Sequence, residues 1–262
     1  MRIALRRRTF LLILLVGILL AGCQTVTRTF DYRDVHDEWN RAVATDNVEA
    51  LKTPGASTSS DAARGYELVV AKLDDESIRH LDDRLRPNAY ALRAMAQWRL
   101  GRLREARDTA LKGLSLPNVA EAPRDRMVLK IVPALVIDAE LVARLNAGDA
   151  IVTEADYNAT YAKDFGTAAR LLKEAVATTD PATPESIVRF VHTQRWRVLR
   201  NWKTAIARTG DLPPKGADVR ARAQAAAKSQ LGQDLNAEIS AEERFVPAAD
   251  HLRQAMEAMA AK

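Results

Sequence analysis

The chain has 262 residues, of which 47% are hydrophobic and only 5% are aromatic. Alanine and leucine dominate the apolar set. This mix favours helices over sheets, because strands select β-branched and aromatic side chains. The formal net charge is +5, but four of the 39 basic side chains and none of the 34 acidic ones lie in residues 1–22. The remainder is nearly neutral, which argues against a nucleic-acid-binding protein.

The N-terminal segment has the pattern of a signal peptide. Residues 2–8 carry four arginines, and residues 10–21 are an uninterrupted run of apolar residues and glycine. A helix needs roughly 20 apolar residues to cross a bilayer, so this run is short for a permanent span and suits a signal peptide. It ends at Leu20-Ala21-Gly22-Cys23, where two small residues of the kind that signal peptidase accepts precede the only cysteine.

This segment resembles the lipobox of bacterial lipoproteins. The resemblance implies that signal peptidase recognises Leu20, Ala21 and Gly22, removes residues 1–22 and leaves Cys23 first. It also implies diacylglycerol on the Cys23 thiol, and no other cofactor is expected. Two or three acyl chains give stable attachment, since each buried methylene contributes about 0.8 kcal/mol. The alternatives are an ordinary cleaved signal peptide and a short uncleaved anchor with an incidental cysteine.

The residue after the cysteine bears on the location. It is Gln24, whereas an aspartate there tends to retain proteobacterial lipoproteins at the inner membrane. In a Gram-negative host the resemblance therefore implies the periplasmic face of the outer membrane. Residues 23–32 would be a lipidated tether, and the expected partners are the membrane and an envelope protein.

Residues 33–262 are predicted to form a single all-α domain. The helix at 126–145 is apolar around most of its circumference, so it must be covered on several sides and is predicted to be the central element. Pro133 inside it predicts a kink. Residues 47–60 are predicted to be a loop, and Pro87 to end a helix. The other predicted helices outside the segment 88–117 cover residues 34–44, 61–72, 76–85, 184–208, 217–239 and 241–261, the last with a capping box of Ser240 and Glu243.

Residues 88–117 resemble a tetratricopeptide repeat, a helical hairpin with a glycine at its turn and small residues where its helices touch. The matching positions are Tyr90, Gly101, Ala106, Gly113, Leu114 and Pro117. Arg93, Ala94 and Ala110 depart from the pattern, and Pro117 comes about one residue early. Residues 155–181 give a fainter match. The fold implied is a short solenoid of stacked antiparallel helical hairpins, with an irregular helical bundle as the alternative.

No motif for catalysis or metal binding is present in the sequence. The four histidines, His36, His80, His192 and His251, are far apart, and none has a partner at metal-ligand spacing. Glycine-rich phosphate loops and nucleophile motifs are also missing. The prediction is a protein that is not an enzyme and has no metal site, although folding could still assemble a buried pair of acids.

The most unusual surface candidate is on the helix at 184–208. Helical geometry places Trp196 away from the apolar stripe, with Arg189, Arg200 and Lys203 on the same side. The functional interpretation is a face that docks an acidic partner or anionic envelope material. The alternative is preferred, because each helix in stacked hairpins has two covered sides: Trp196 packs on the next helix and the arginines pair with acids there.

Three functions follow from these patterns. The first is a non-enzymatic scaffold whose helical array holds a protein partner at a membrane, in envelope assembly, secretion or cell-wall maintenance. The second is a lipoprotein that binds a small ligand or glycan beside the helix at 126–145 and serves a transporter or synthase. The third, an envelope hydrolase, requires acids or histidines that converge in one cleft.

Overall fold

The computed structural model describes residues 31–52, 58–147, 161–211 and 230–245. The protein is all-α, and these ranges contain no strand. None of the described helices is both long enough and apolar enough to span a bilayer. The helices are α1 Tyr32–Lys52, α2 Ser60–Lys72, α3 Asp75–His80, α4 Arg86–Arg99, α5 Leu103–Leu114, α6 Pro123–Asn146, α7 Lys163–Ala177, α8 Glu185–Asp211 and α9 Gln230–Glu243, with a 3-10 turn at Val119–Glu121.

The helices stack as consecutive pairs. The pairs are α1 with α2, α4 with α5, α6 with α7, and α8 with α9. Along one side, α4 packs on α6 and α6 on α8, while α5 and α7 each also pack on the first helix of the next pair. Each extensive contact among the described helices lies within a pair or between consecutive pairs, which is the packing order of an open array. We call α1, α4, α6 and α8 the first row.

Helix α6 lies at the centre of the array, as its sequence predicts. It packs against α4, α5, α7 and α8. The fully buried side chains Leu129, Ile131 and Leu135 belong to the main hydrophobic core, and each contributes roughly 1.5–3 kcal/mol by leaving water. A second, smaller core around Tyr66 joins α1, α2 and α4, and Trp39 and Tyr90 pack against both cores.

The turn between α4 and α5 occurs where the sequence places it. Gly101 has φ +73°, a left-handed conformation that favours glycine. The N–H of Gly101 donates to the carbonyl of Trp98 at 3.0 Å, and the N–H of Arg102 donates to that of Gln97 at 2.9 Å. This is a Schellman ending, which turns the chain back so that α5 lies against α4.

Three helix boundaries differ from the predictions. Helix α1 continues to Lys52, so the predicted loop at residues 47–60 begins later. The helix predicted at 76–85 ends at His80, and Pro87 lies in the first turn of α4, where its missing N–H costs nothing. Ser240 lies inside α9, so it does not cap a further helix, because residues on both sides continue the helical hydrogen bonding.

Several predictions concern residues outside the described ranges. These are the signal peptide, most of the tether, part of the fainter repeat and most of the two C-terminal helices. Helix α6 is continuous through Pro133, and the predicted kink there stays a prediction.

The close approach at Gly113 gives a test of the packing. A Cβ at this position would lie 2.8 Å from the Cβ of Tyr90 and 2.8 Å from a methyl of Leu129. We therefore expect Gly113→Ala to lower the free energy of unfolding by about 1–3 kcal/mol, because the backbone around Tyr90 must shift. Urea denaturation followed by circular dichroism measures the change.

Gly166→Ala is the matched control. Its Cβ would meet only the Trp202 ring at 3.5 Å, an ordinary contact. This variant should be neutral or more stable by up to about 1 kcal/mol, since alanine is the better helix former. Equal destabilisation by both substitutions would contradict the packing described for Gly113.

Candidate interaction face

The indole of Trp98 is the centre of a polar cluster on the first row. Trp98 is the next-to-last residue of α4 and is only 8% exposed. Its Nε1 donates to the carbonyl oxygen of Leu135 on α6 at 3.2 Å. A carbonyl in the middle of a helix already accepts one bond, so the indole uses its second lone pair and fixes α4 against α6.

Two guanidinium groups stack on this indole. The guanidinium carbon of Arg99 lies 5.0 Å from the ring centroid, and that of Arg197 lies 5.3 Å from it. Both distances are within the range of cation–π attraction. Arg197 belongs to α8, so side chains from α4 and α8 meet although α6 lies between these helices.

Each guanidinium has an acidic partner beneath it. Nη1 of Arg99 is 3.4 Å from Asp46 of α1. Arg197 donates from Nε to Asp138 of α6 at 3.2 Å, with Nη2 3.1 Å away, and the amide of Asn201 donates to the same carboxylate at 2.9 Å. We call these six residues, Asp46, Trp98, Arg99, Asp138, Arg197 and Asn201, the Trp98 cluster.

In the Trp98 cluster the two acids are buried, whereas the two arginines are partly exposed. Asp46 and Asp138 are 6% and 2% exposed, whereas the side chains of Arg99 and Arg197 remain 33% and 35% exposed. Burial lowers the pKa of Arg197, and Asp138 opposes that shift; an arginine stays charged regardless. The hydroxyl of Tyr66 donates to Asp46 at 3.1 Å, and burial raises the pKa of Tyr66. Solvent therefore meets the cations while the acids lie below.

A second set of polar side chains links the helices of the first row near their N-termini. The Tyr32 hydroxyl of α1 donates to the Asn88 side chain of α4 at 2.7 Å, and the Asn88 amide donates to Asp125 of α6 at 2.8 Å. Burial raises the pKa of Asp125, and the bond from Asn88 partly opposes this. The two polar groups hold α1, α4 and α6 in parallel register.

The predicted docking patch on α8 is only partly on the surface. Trp196 is 8% exposed and belongs to the main core, since α6, α7 and α9 all cover α8. Arg200 lies 4.7 Å above the indole, Arg189 pairs with Glu185 one turn away at 2.7 Å, and Lys203 is exposed. The burial of the ring favours the alternative in which Trp196 packs on neighbouring helices.

Sequence reasoning missed the charges that join α8 to α9. Arg195 forms short ion pairs with Glu238 and Glu242. The ring of His192 lies 2.6 Å from Glu242 through Nδ1 and stacks on Phe245 at 3.8 Å. These partners are more than forty residues apart, so no local spacing signals them. The Trp98 cluster was missed for the same reason.

Among the described residues, no group of three or more histidine, cysteine or acidic side chains could hold a metal ion. The predicted lipidation site Cys23 and the recognition residues Leu20, Ala21 and Gly22 lie outside the described ranges. Comparison with known proteins finds no match to the chain among protein families, curated proteins or solved structures.

Removing the buried carboxylate of Asp138 from the Trp98 cluster should destabilise the fold. Asp138→Ala leaves Arg197 without its partner and Asn201 without its acceptor. Because Arg197 keeps some solvent, we expect a loss of about 1–3 kcal/mol in the free energy of unfolding, less than for a fully buried pair. Glu174→Ala, which breaks an exposed pair with Arg170, is the control and should change stability by less than about 0.5 kcal/mol.

The raised pKa of Asp125 predicts a pH dependence. The folded state favours the protonated acid, so this stabilising contribution is present below the unfolded pKa and lost as the pH rises through the folded pKa. Asp125→Asn removes this titration. Relative to wild type, the variant should therefore be most stable at about pH 7 and should lose that advantage towards about pH 4.

Asp75→Asn should show the opposite trend. Hydrogen bonds from Lys112 and Arg93 lower the pKa of Asp75, so its contribution is present at neutral pH and lost as the pH falls through the folded pKa. Thermal unfolding of both variants and wild type over this pH range measures the two slopes. Slopes of the same sign would overturn the assignment for Asp125.

Proposed function

We propose that the protein is a lipid-anchored lipoprotein on the periplasmic face of the outer membrane and a non-enzymatic scaffold for another envelope protein. The observation that carries the anchor is Leu20-Ala21-Gly22-Cys23 directly after an arginine-rich start and an apolar run. The lipid on Cys23 would confine a helical body to the membrane surface, because its acyl chains leave the bilayer at high cost.

The arrangement of the helices supports the scaffold part of the proposal. An open array offers an extended surface along its first row, and stacked helical hairpins commonly use such a surface to hold peptides. The Trp98 cluster places two half-exposed cations on that surface at a spot held by four helices. A protein partner can engage such a fixed surface with little loss of side-chain freedom.

A ligand-binding role has less support from the structure. That alternative places a small molecule or glycan beside α6, in an apolar groove. The described side chains of α6 that face its neighbours are buried among α4, α5, α7 and α8, so ligand entry there would require these helices to separate. The scaffold is therefore the preferred proposal.

The anchor is tested by Cys23→Ser. We expect the unmodified precursor to keep residues 1–22 and to lose the acyl mass, because the thiol is the acceptor for diacylglycerol. Intact-mass analysis of the native protein measures both. Thr25→Ser is the control and should be processed and lipidated normally. A Cys23→Ser variant whose mass differs from that of the native protein only by the exchange of sulfur for oxygen would refute the anchor.

The scaffold is tested by site-specific photo-crosslinking in cells. Thr204 is exposed and lies two turns from Arg197 on the same side of α8. A photoreactive residue there should capture a discrete envelope protein that mass spectrometry identifies. The same residue at Arg170, exposed on α7, is the control outside the first row. Equal capture of many proteins at both positions would argue against a defined partner.

A further inference from the structure

We infer that the two guanidinium groups on Trp98 form a binding site for an acidic peptide segment of the partner protein. This inference rests on the proposed function, because it specifies the chemistry of the partner that the scaffold holds. It depends on three features of the Trp98 cluster, which are its open donors, its charge balance and its spacing.

The donors of the cluster are only partly used. Asp46 contacts Nη1 of Arg99, and Asp138 contacts Nε and Nη2 of Arg197. A guanidinium carries five N–H donors, so these contacts leave other N–H groups of both arginines to donate to a ligand. The indole and the buried acids hold both planar groups in place, so an incoming carboxylate meets oriented donors.

The charge balance favours a ligand whose charges are single carboxylates. Asp46 and Asp138 lie directly below the two cations, so the four charges nearly cancel. A multiply charged group such as phosphate would be repelled by both buried acids, whereas a single carboxylate can share one guanidinium with the acid beneath it.

The spacing suits two acidic side chains on one extended chain. Each guanidinium carbon lies about 5 Å from the centroid of Trp98, so the two carbons are at most about 10 Å apart. An extended peptide advances about 3.3 Å per residue, and acids two or three residues apart fit this distance. Asn201 uses its amide nitrogen on Asp138, which leaves its carbonyl oxygen to accept a backbone N–H of the peptide.

The experiment uses the full mature chain and a fluorescein-labelled peptide of alternating glutamate and serine. Fluorescence anisotropy measures binding, with the peptide in which every glutamate is glutamine as the neutral probe. We expect the acidic peptide to bind, the neutral peptide to bind at least roughly tenfold more weakly, and rising salt to weaken the acidic complex.

The variants assign binding to the cluster. Arg99→Gln with Arg197→Gln should weaken acidic-peptide binding by roughly tenfold or more. Arg99→Gln alone should retain the fold, since Asp46 keeps its bond from Tyr66, and should still weaken binding several-fold. Arg170→Gln with Lys173→Gln removes two exposed cations of α7 and should stay within about twofold of wild type. Circular dichroism confirms that each variant is folded.

Three outcomes would overturn the inference. These are no preference of the wild-type chain for the acidic over the neutral peptide, equal weakening by the control pair, and displacement of the peptide by inorganic phosphate at concentrations where acetate has no effect. If the peptide fails while Thr204 still captures one envelope protein, the acidic-ligand inference falls and the scaffold stands. If both fail, the scaffold part of the proposed function falls as well.

Discussion

The burial of α6 is the constraint on which the rest of the structure depends. A helix that is apolar around most of its circumference cannot remain in water, and α4, α5, α7 and α8 cover it. These four neighbours are the two helices that precede α6 and the two helices that follow it in the chain. Stacked pairs are therefore the arrangement that satisfies this helix, and the ends of the stack need only one covered side each.

Charged side chains then determine how neighbouring pairs align. Between neighbouring pairs, Arg99 of α4 binds α1 and Arg197 of α8 binds α6, and within the last pair Arg195 of α8 binds α9. A planar guanidinium can stack on a ring and donate to a carboxylate at the same time, which a lysine cannot do. The apolar core supplies the driving force for packing, while these bonds fix the register at which one helix meets the next.

The sequence predicts the local features of the fold well and its long-range features poorly. Gly101, Gly113 and the apolar circumference of α6 mark a turn, a close contact and a central position, and each is readable within a few residues. Pro87 was misread because proline both ends and begins helices, and only tertiary packing decides between the two. The Trp98 cluster joins residues from Asp46 to Asn201, and no local pattern marks such partners. The position of Trp196 was predicted from the apolar stripe of α8 alone. Because other helices cover α8 on more than one side, Trp196 is buried although it lies off that stripe.

Because the extensive contacts of each described helix pair are with the neighbouring pairs, the stacking order determines where local unfolding begins. In the described array, α9 makes its extensive contact with α8 alone, whereas α6 touches four helices. Opening then begins at a terminal pair and progresses inward, so backbone amides of α6 should exchange with solvent last. A stack of this kind can therefore yield to mechanical pull one hairpin at a time without losing the helix at its centre.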